Sequence, residues 1–138
     1  MASNSRVVID ASIALKWFHQ EKNTDEAVEI QKAINDGTIT GIVPDLIYYE
    51  TANVLVRGIG KKEDAIVEAM EILADMVWNV VPPDRVLLQS AIELALQHDK
   101  LSVYDAMYIA LAVSRQAKLI TADKKLFQIA GPQVALLL

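Results

Sequence analysis

The chain has 138 residues, 53% of them hydrophobic, with a net charge of −5, two histidines and no cysteine. That is enough chain for one domain, expected over residues 1–138, with a core that needs no covalent staples. The composition excludes a disulfide framework, a thiolate metal site and a cysteine nucleophile; with only His19 and His98 it also disfavours a histidine-rich zinc site, so any metal must be held mainly by oxygen ligands, as Mg²⁺ or Mn²⁺ prefer.

In chain order, Val7 to Ile9 read as a buried strand that stops on Asp10, and residues 11–18 read as a short helix with an apolar face. Ala27, Ile30, Ala33 and Ile34 recur at helical spacing before a stop at Gly37. "GIVPDLIYYETANVLVRG" is a short strand, then a helix opening near Pro44 and Asp45 and closing before Gly58. "KKEDAIVEAMEILADMV" is amphipathic, with Ala65, Ala69, Ile72, Leu73 and Met76 on one face and Asp64, Glu68, Glu71 and Asp75 on the other. "WNVVPP" is a short strand, "DRVLLQSAIELALQHD" a helix and "SVYDAMYIALAVSRQA" an Ala-rich helix. "KLITAD" is a strand ending on a second acid, "KKLFQIAG" a short helix closed by Gly131, and "VALLL" a terminal or edge strand. Short strands alternating with helices predict an α/β layer fold with a mainly parallel sheet, whose ligands bind at the carboxyl ends of the strands. No run reaches the ~18 apolar residues of a membrane span. The segment "MASNSRVVID" lacks a signal-peptide layout. The expectation is a soluble, cytoplasmic protein.

Four acids stand out, and each has an ordinary structural explanation. Asp10 and Asp123 end strands, where an acid commonly caps the next helix. Asp105 sits three residues after Ser102, as in a capping box. Glu50 lies mid-helix with no basic residue three or four positions away; Asn53 and Arg57 extend its stripe. Jointly they say more. The four can meet at one patch if the two helices pack beside the two strand ends. A pair of carboxylates ~4 Å apart costs about 4 kcal/mol at an effective dielectric near 20, so such a cluster is sensible only if it binds cations. Two divalent ions there would clamp a phosphodiester during in-line attack by water, with no histidine or thiol required.

"VIDASIALKWF", "VPDLIYYETANVL", "LSVYDAMYIALA" and "LITADKKL" follow one another from residue 7 to 126, nearly the whole chain. In this ordered set the sequence resembles the PIN-domain ribonucleases, most closely the toxins of VapBC toxin–antitoxin pairs. The resemblance implies a PIN-like three-layer fold, a central mainly parallel sheet flanked by helices, and a Mg²⁺- or Mn²⁺-dependent endoribonuclease. It implies that Asp10, Glu50, Asp105 and Asp123 are the catalytic, metal-binding acids, with Ser12, Asn53 and Thr121 as hydrogen-bonding groups around them. It further implies a VapB-like antitoxin as partner, and a homodimer whose seam the helices near residues 45–57 and 61–77 can supply. One departure is that Lys124 and Lys125 stand where many relatives carry a further acid, so one ion firmly held and a second recruited with substrate is the expectation.

Setting the four acids aside leaves 13 basic against 14 acidic side chains, close to neutral. RNA binding then has to rest on the metals, on shape and on local cations, with Arg57, Lys124 and Lys125 as candidate phosphate contacts. Tyr48 and Tyr49 are read as core or subunit-contact residues, as are Trp17 and Phe18. Two other classes compete: a non-catalytic PIN-like scaffold, and a phosphoryl-transfer domain with an aspartyl nucleophile after a strand. For the latter, a phosphatase of that kind wants a second acid two residues on, where this chain has Ser12.

Overall fold

β1 (Arg6–Ile9) is buried along its whole apolar run, and it forms the centre of the sheet. The computed structural model describes residues 5–138; Met1 to Asn4, where the signal-peptide reading begins, lie outside the described residues. After β1 come α1 (Ala11–Leu15), α2 (Thr24–Asn35), β2 (Thr40–Pro44), α3 (Leu46–Val54) and a π-helical turn (Leu55–Ile59). α4 (Glu63–Ala74), β3 (Asn79–Val81), α5 (Arg85–Gln97), α6 (Val103–Ser114), β4 (Lys118–Thr121), α7 (Lys124–Ala130) and β5 (Ala135–Leu137) complete the order. Every strand pairing is parallel, in the order β3-β2-β1-β4-β5.

The period-two alternation of β1 divides the core. Val7 and Ile9 pack with Val43, Ile120, Ile13, Ala27, Ile34, Ile47 and Leu73 under α1 to α4. Val8 packs with Ile42, Leu119, Ala91, Leu111 and Leu126 under α5 to α7. Sheet strands covered on both faces read as unbroken apolar runs, which is why Val7, Val8 and Ile9 are all buried. Gly41 in β2 lets α2 approach closely: a Cβ there would lie 3.0 Å from the Ile34 side chain.

Strand order turns back on itself at β1, which pairs with β2 on one side and β4 on the other. The crevice between β1 and β4 is therefore the switch point where open α/β sheets bind ligands. Ile9 is in register with Ile120, so Asp10 and Thr121 leave the sheet side by side.

Three expectations need correction. The first helix ends at Leu15, with Lys16 as its C-cap, and does not continue to residue 18. α3 itself ends at Val54, but a π turn carries the helical path through Gly58 to Ile59, and Gly60 at φ +71° ends it. The wider turn takes up an extra residue, so Arg57 does not keep ideal helical alignment with Glu50 and Asn53. Ala69 and Leu73 on α4 and Met76 just beyond it are buried, but Ala65 and Ile72 are exposed. Tyr48 and Tyr49 also part company: Tyr48 is half-buried and accepts from Trp78 Nε1 at 3.1 Å, whereas Tyr49 is 76% exposed. Trp17 donates to the Ala27 carbonyl at 2.8 Å, tying the end of α1 to α2. Among the described residues no helix is long and apolar enough to cross a membrane.

Candidate active site

Asp10 is both a helix cap and a buried acid. Its Oδ1 accepts from the Ser12 N–H at 2.9 Å and from the Ser12 hydroxyl, and its Oδ2 accepts from Thr121 Oγ1 at 2.6 Å. Ser12 Oγ in turn accepts from the Ala122 N–H at 2.9 Å, and Thr121 Oγ1 accepts from the Asp123 N–H at 3.0 Å. These bonds lock the end of β1 to the end of β4. They use three of the roughly four acceptor positions of the Asp10 carboxylate, leaving about one for an ion. With Asp10 4% exposed, burial pushes its carboxyl up from 3.8 to about 6, despite the opposing hydrogen bonds from Ser12 and Thr121.

Asp123 caps α7, its Oδ1 accepting from the Leu126 N–H at 3.1 Å. Ser102 caps α6, its hydroxyl accepting from the Asp105 N–H at 3.0 Å. Burial raises the Asp105 carboxyl and the neighbouring Asp123 charge raises it further, while Lys125 and Ser102 oppose the shift. The Lys125 ammonium is tethered to the Lys100 carbonyl at 2.8 Å.

Glu50 reaches the same edge from α3. Its Oε1 accepts from the Tyr108 hydroxyl of α6 at 2.6 Å. Burial raises the Glu50 carboxyl, Tyr108 opposes the rise, and the charges of Asp105 and Asp10 add to it. Tyr108 is 1% exposed; burial, then the Glu50 charge, holds its phenol protonated far above the ordinary range, so it is a permanent donor. Sequence reasoning does not single this residue out. The available signal is a tyrosine three places after Asp105 in an otherwise apolar helix, since a buried phenol needs a partner.

The four acids thus form one electrostatic neighbourhood at the switch point: Asp10 and Asp105 each act on Glu50, and Asp123 acts on Asp105. Ser12 and Thr121 hold Asp10 directly. Asn53 is exposed and its side chain makes no hydrogen bond among the described residues, and Arg57 is exposed in the π turn. Lys124 is exposed at the start of α7.

Oxygen donors of this kind suit a hard divalent cation. Among the described residues, however, no three acids or imidazoles converge tightly enough to enclose an ion by themselves. Mg²⁺ fits such an open arrangement, because it keeps several waters and is commonly bound by one or two carboxylates together with substrate phosphates. The donor set therefore fits Mg²⁺ or Mn²⁺ as an open site.

Comparison with known proteins places this geometry. The PIN domain family matches residues 7–132. Ribonuclease VapC3 of Pyrobaculum aerophilum is 31% identical over 129 residues, spanning 88% of this chain and 92% of the relative. The crystal structure of Mycobacterium tuberculosis VapC20, a sarcin–ricin loop cleaving toxin, superposes with a TM-score of 0.72 at 19% identity, covering 93% of this chain and 98% of that one. VapBC2 from Rickettsia felis, bound to a DNA fragment from its promoter, gives 0.70 at 13% identity over 94% and 96% of the two chains. At those identities the two structures speak for the fold alone.

Proposed function

The chain belongs to the PIN domain family, and from that premise we propose that it is a Mg²⁺- or Mn²⁺-dependent endoribonuclease acting as the VapC-like toxin of a toxin–antitoxin pair. The observation that carries this reading is the lock at the β1–β4 switch point, where Ser12 and Thr121 fix Asp10 beside Asp123. Glu50 and Asp105 come to the same edge from α3 and α6. Asp10, Glu50, Asp105 and Asp123 would hold a divalent ion there, which would supply stabilisation of charge on a phosphodiester and a lowered pKa for the attacking water. On this reading one ion would be held by the chain's acids and a second would be recruited with the substrate.

The chain's own residues prepare the site. Ser12 and Thr121 orient the Asp10 carboxylate and leave it one free acceptor direction. Tyr108 orients the Glu50 carboxylate through a charge-assisted bond. Asp10 releases its proton as pH passes about 6, so cation affinity rises over that range. Asp123 and Ser102 cap their helices, which fixes the two remaining acids on rigid mounts.

On this reading the partners are an RNA substrate and a VapB-like antitoxin, and the protein acts in the cytoplasm. The exposed apolar residues Tyr49 and Val56 near α3 and Val67 and Ile72 on α4 supply the seam of a homodimer. The test is incubation of purified protein with total cellular RNA, with Mg²⁺, Mn²⁺ or EDTA, followed by mapping of new RNA ends. Discrete ends that require the metal and vanish in Asp10→Asn are expected. Cleavage that survives both EDTA and Asp10→Asn contradicts the reading, and absence of cleavage with every metal favours a non-catalytic scaffold.

A further inference from the structure

Lys16 is an uncommon residue for its place. It follows the buried face of α1, its side chain is only 5% exposed, and its ammonium donates to Glu21 Oε1 at 2.9 Å and to the Lys22 carbonyl at 2.6 Å. An ammonium has three protons to donate, and two have acceptors among the described residues. A buried lysine is rare unless its charge is answered. Glu21 answers it only in part, because that carboxylate is 40% exposed and shared with water.

Lys16 forms one wall of a cavity of about 480 Å³ that Lys22, Asn23, Ala122 and Lys124 also line. Lys22 and Lys124 form no ion pair among the described residues. Three lysines against Glu21 and the carboxylate of Leu138, which also lines the cavity, leave an excess of one positive charge, in a chain whose net charge is −5. The cavity adjoins the acid patch through Ala122. That residue's N–H donates to Ser12 Oγ, which itself bonds Asp10, and its chain neighbours are Thr121 and Asp123. Lys124 and Lys125 therefore do different work: Lys125 is tied to the Lys100 carbonyl and faces Asp105, whereas Lys124 faces the cavity.

We propose that the cavity formed by Lys16, Lys22, Asn23 and Lys124 is a phosphate subsite that grips the RNA backbone one step away from the acid patch. It deepens the ribonuclease reading and rests on it. A phosphodiester brought to a cluster of carboxylates is repelled unless cations lie on both sides of it. The acid patch recruits its cation from solution; the subsite provides fixed ones. The bound phosphate supplies the remaining acceptor for the Lys16 ammonium, and the Asn23 amide adds a neutral donor. The subsite carries no base-reading group, so it positions the strand and leaves sequence choice to other contacts.

The test measures binding apart from cleavage. A short fluorescein-labelled single-stranded RNA of mixed sequence is titrated in EDTA, by anisotropy, with wild type, Lys22→Gln/Lys124→Gln, Glu21→Gln and Lys32→Gln. Lys32 serves as control because it lies nine residues beyond Asn23 on α2, about 14 Å along the helix. Removing one lysine–phosphate pair lowers the salt slope by about 0.7, so between about 50 and 200 mM salt the wild type should weaken roughly sevenfold more than the double variant. Glu21→Gln should bind more tightly than wild type, and Lys32→Gln should match it. The subsite is overturned if the double variant keeps the wild-type slope, if wild type binds no RNA, or if polyglutamate displaces the RNA as well as unlabelled RNA of equal charge does. Cleavage with Mn²⁺ is scored separately. A slope change without any cleavage keeps the subsite and sinks the ribonuclease reading; cleavage without a slope change does the reverse.

Discussion

Asp10→Asn should stabilise the metal-free protein at neutral pH, although it removes the acid that caps α1. In the fold the Asp10 carboxyl titrates at about 6 against 3.8 for an ordinary aspartate, chiefly because it is buried. The folded state therefore binds the proton more tightly than the unfolded state. Between pH 4 and pH 6 the native protein holds a proton that the unfolded chain has released, and stability falls as pH rises through that window. A shift of about two units corresponds to roughly 3 kcal/mol lost by pH 7. Asparagine removes this cost. Its Oδ1 can still accept from Ser12, but the Nδ2 that replaces Oδ2 cannot accept from Thr121 and must donate to Thr121 Oγ1 instead, so a charge-assisted bond becomes a neutral, reversed one, a loss of about 1–2 kcal/mol. The net expectation is a gain of about 1–2 kcal/mol, or roughly 3–8 °C in melting temperature for a chain of this length. Thermal melts in EDTA at pH 4 and pH 8 check it: the variant should melt close to wild type at pH 4 and above it at pH 8. A variant destabilised equally at both pH values would mean that the Asp10 charge is a favourable cap and nothing more, and the reasoning would fail.

Three further outcomes follow from other parts of the site. Tyr108→Phe removes the donor to Glu50 without changing shape, so Mn²⁺ affinity by calorimetry should fall about tenfold while the far-ultraviolet circular dichroism stays native. Asp105→Asn should melt at or above wild type in EDTA and gain much less from Mn²⁺, whereas Ser102→Ala should lose about 1 kcal/mol of capping yet keep the Mn²⁺ response. Thr51 is fully buried and its hydroxyl has no partner among the described residues, so Thr51→Val should raise stability by about 1 kcal/mol in denaturant titrations; a loss instead would reveal a partner for that hydroxyl.

The strand–helix alternation and the parallel sheet were legible because sheet and helix periods differ and because Gly37 and Gly131 punctuate the chain. The strand-end acids were legible for the same reason: a carboxylate after Ile9 or after Thr121 has to emerge at the sheet edge. Capping at Asp10 and Asp123 does not exclude a site there, since each caps a helix from the switch point. The π turn was hidden, because Leu55 to Ile59 carry no local signal for an i→i+5 bond. The Tyr108–Glu50 bond joins residues 58 apart in sequence, and side-chain pairs across such a gap are set by packing and not by local pattern. The burial of Lys16 carried no signal in the sequence, because it follows from the early end of α1 and the path of residues 16–24.

Whether these acids bind a cation together is decided most directly by calorimetry. Mn²⁺ is titrated into wild type, Asp10→Asn, Glu50→Gln and Asp123→Asn at pH 7.5. Binding by wild type, weakened at least about tenfold in each variant, is the predicted result, since the acids act on one shared site. Wild type that binds no Mn²⁺, or three variants that bind it as tightly as wild type does, would contradict a shared cation site.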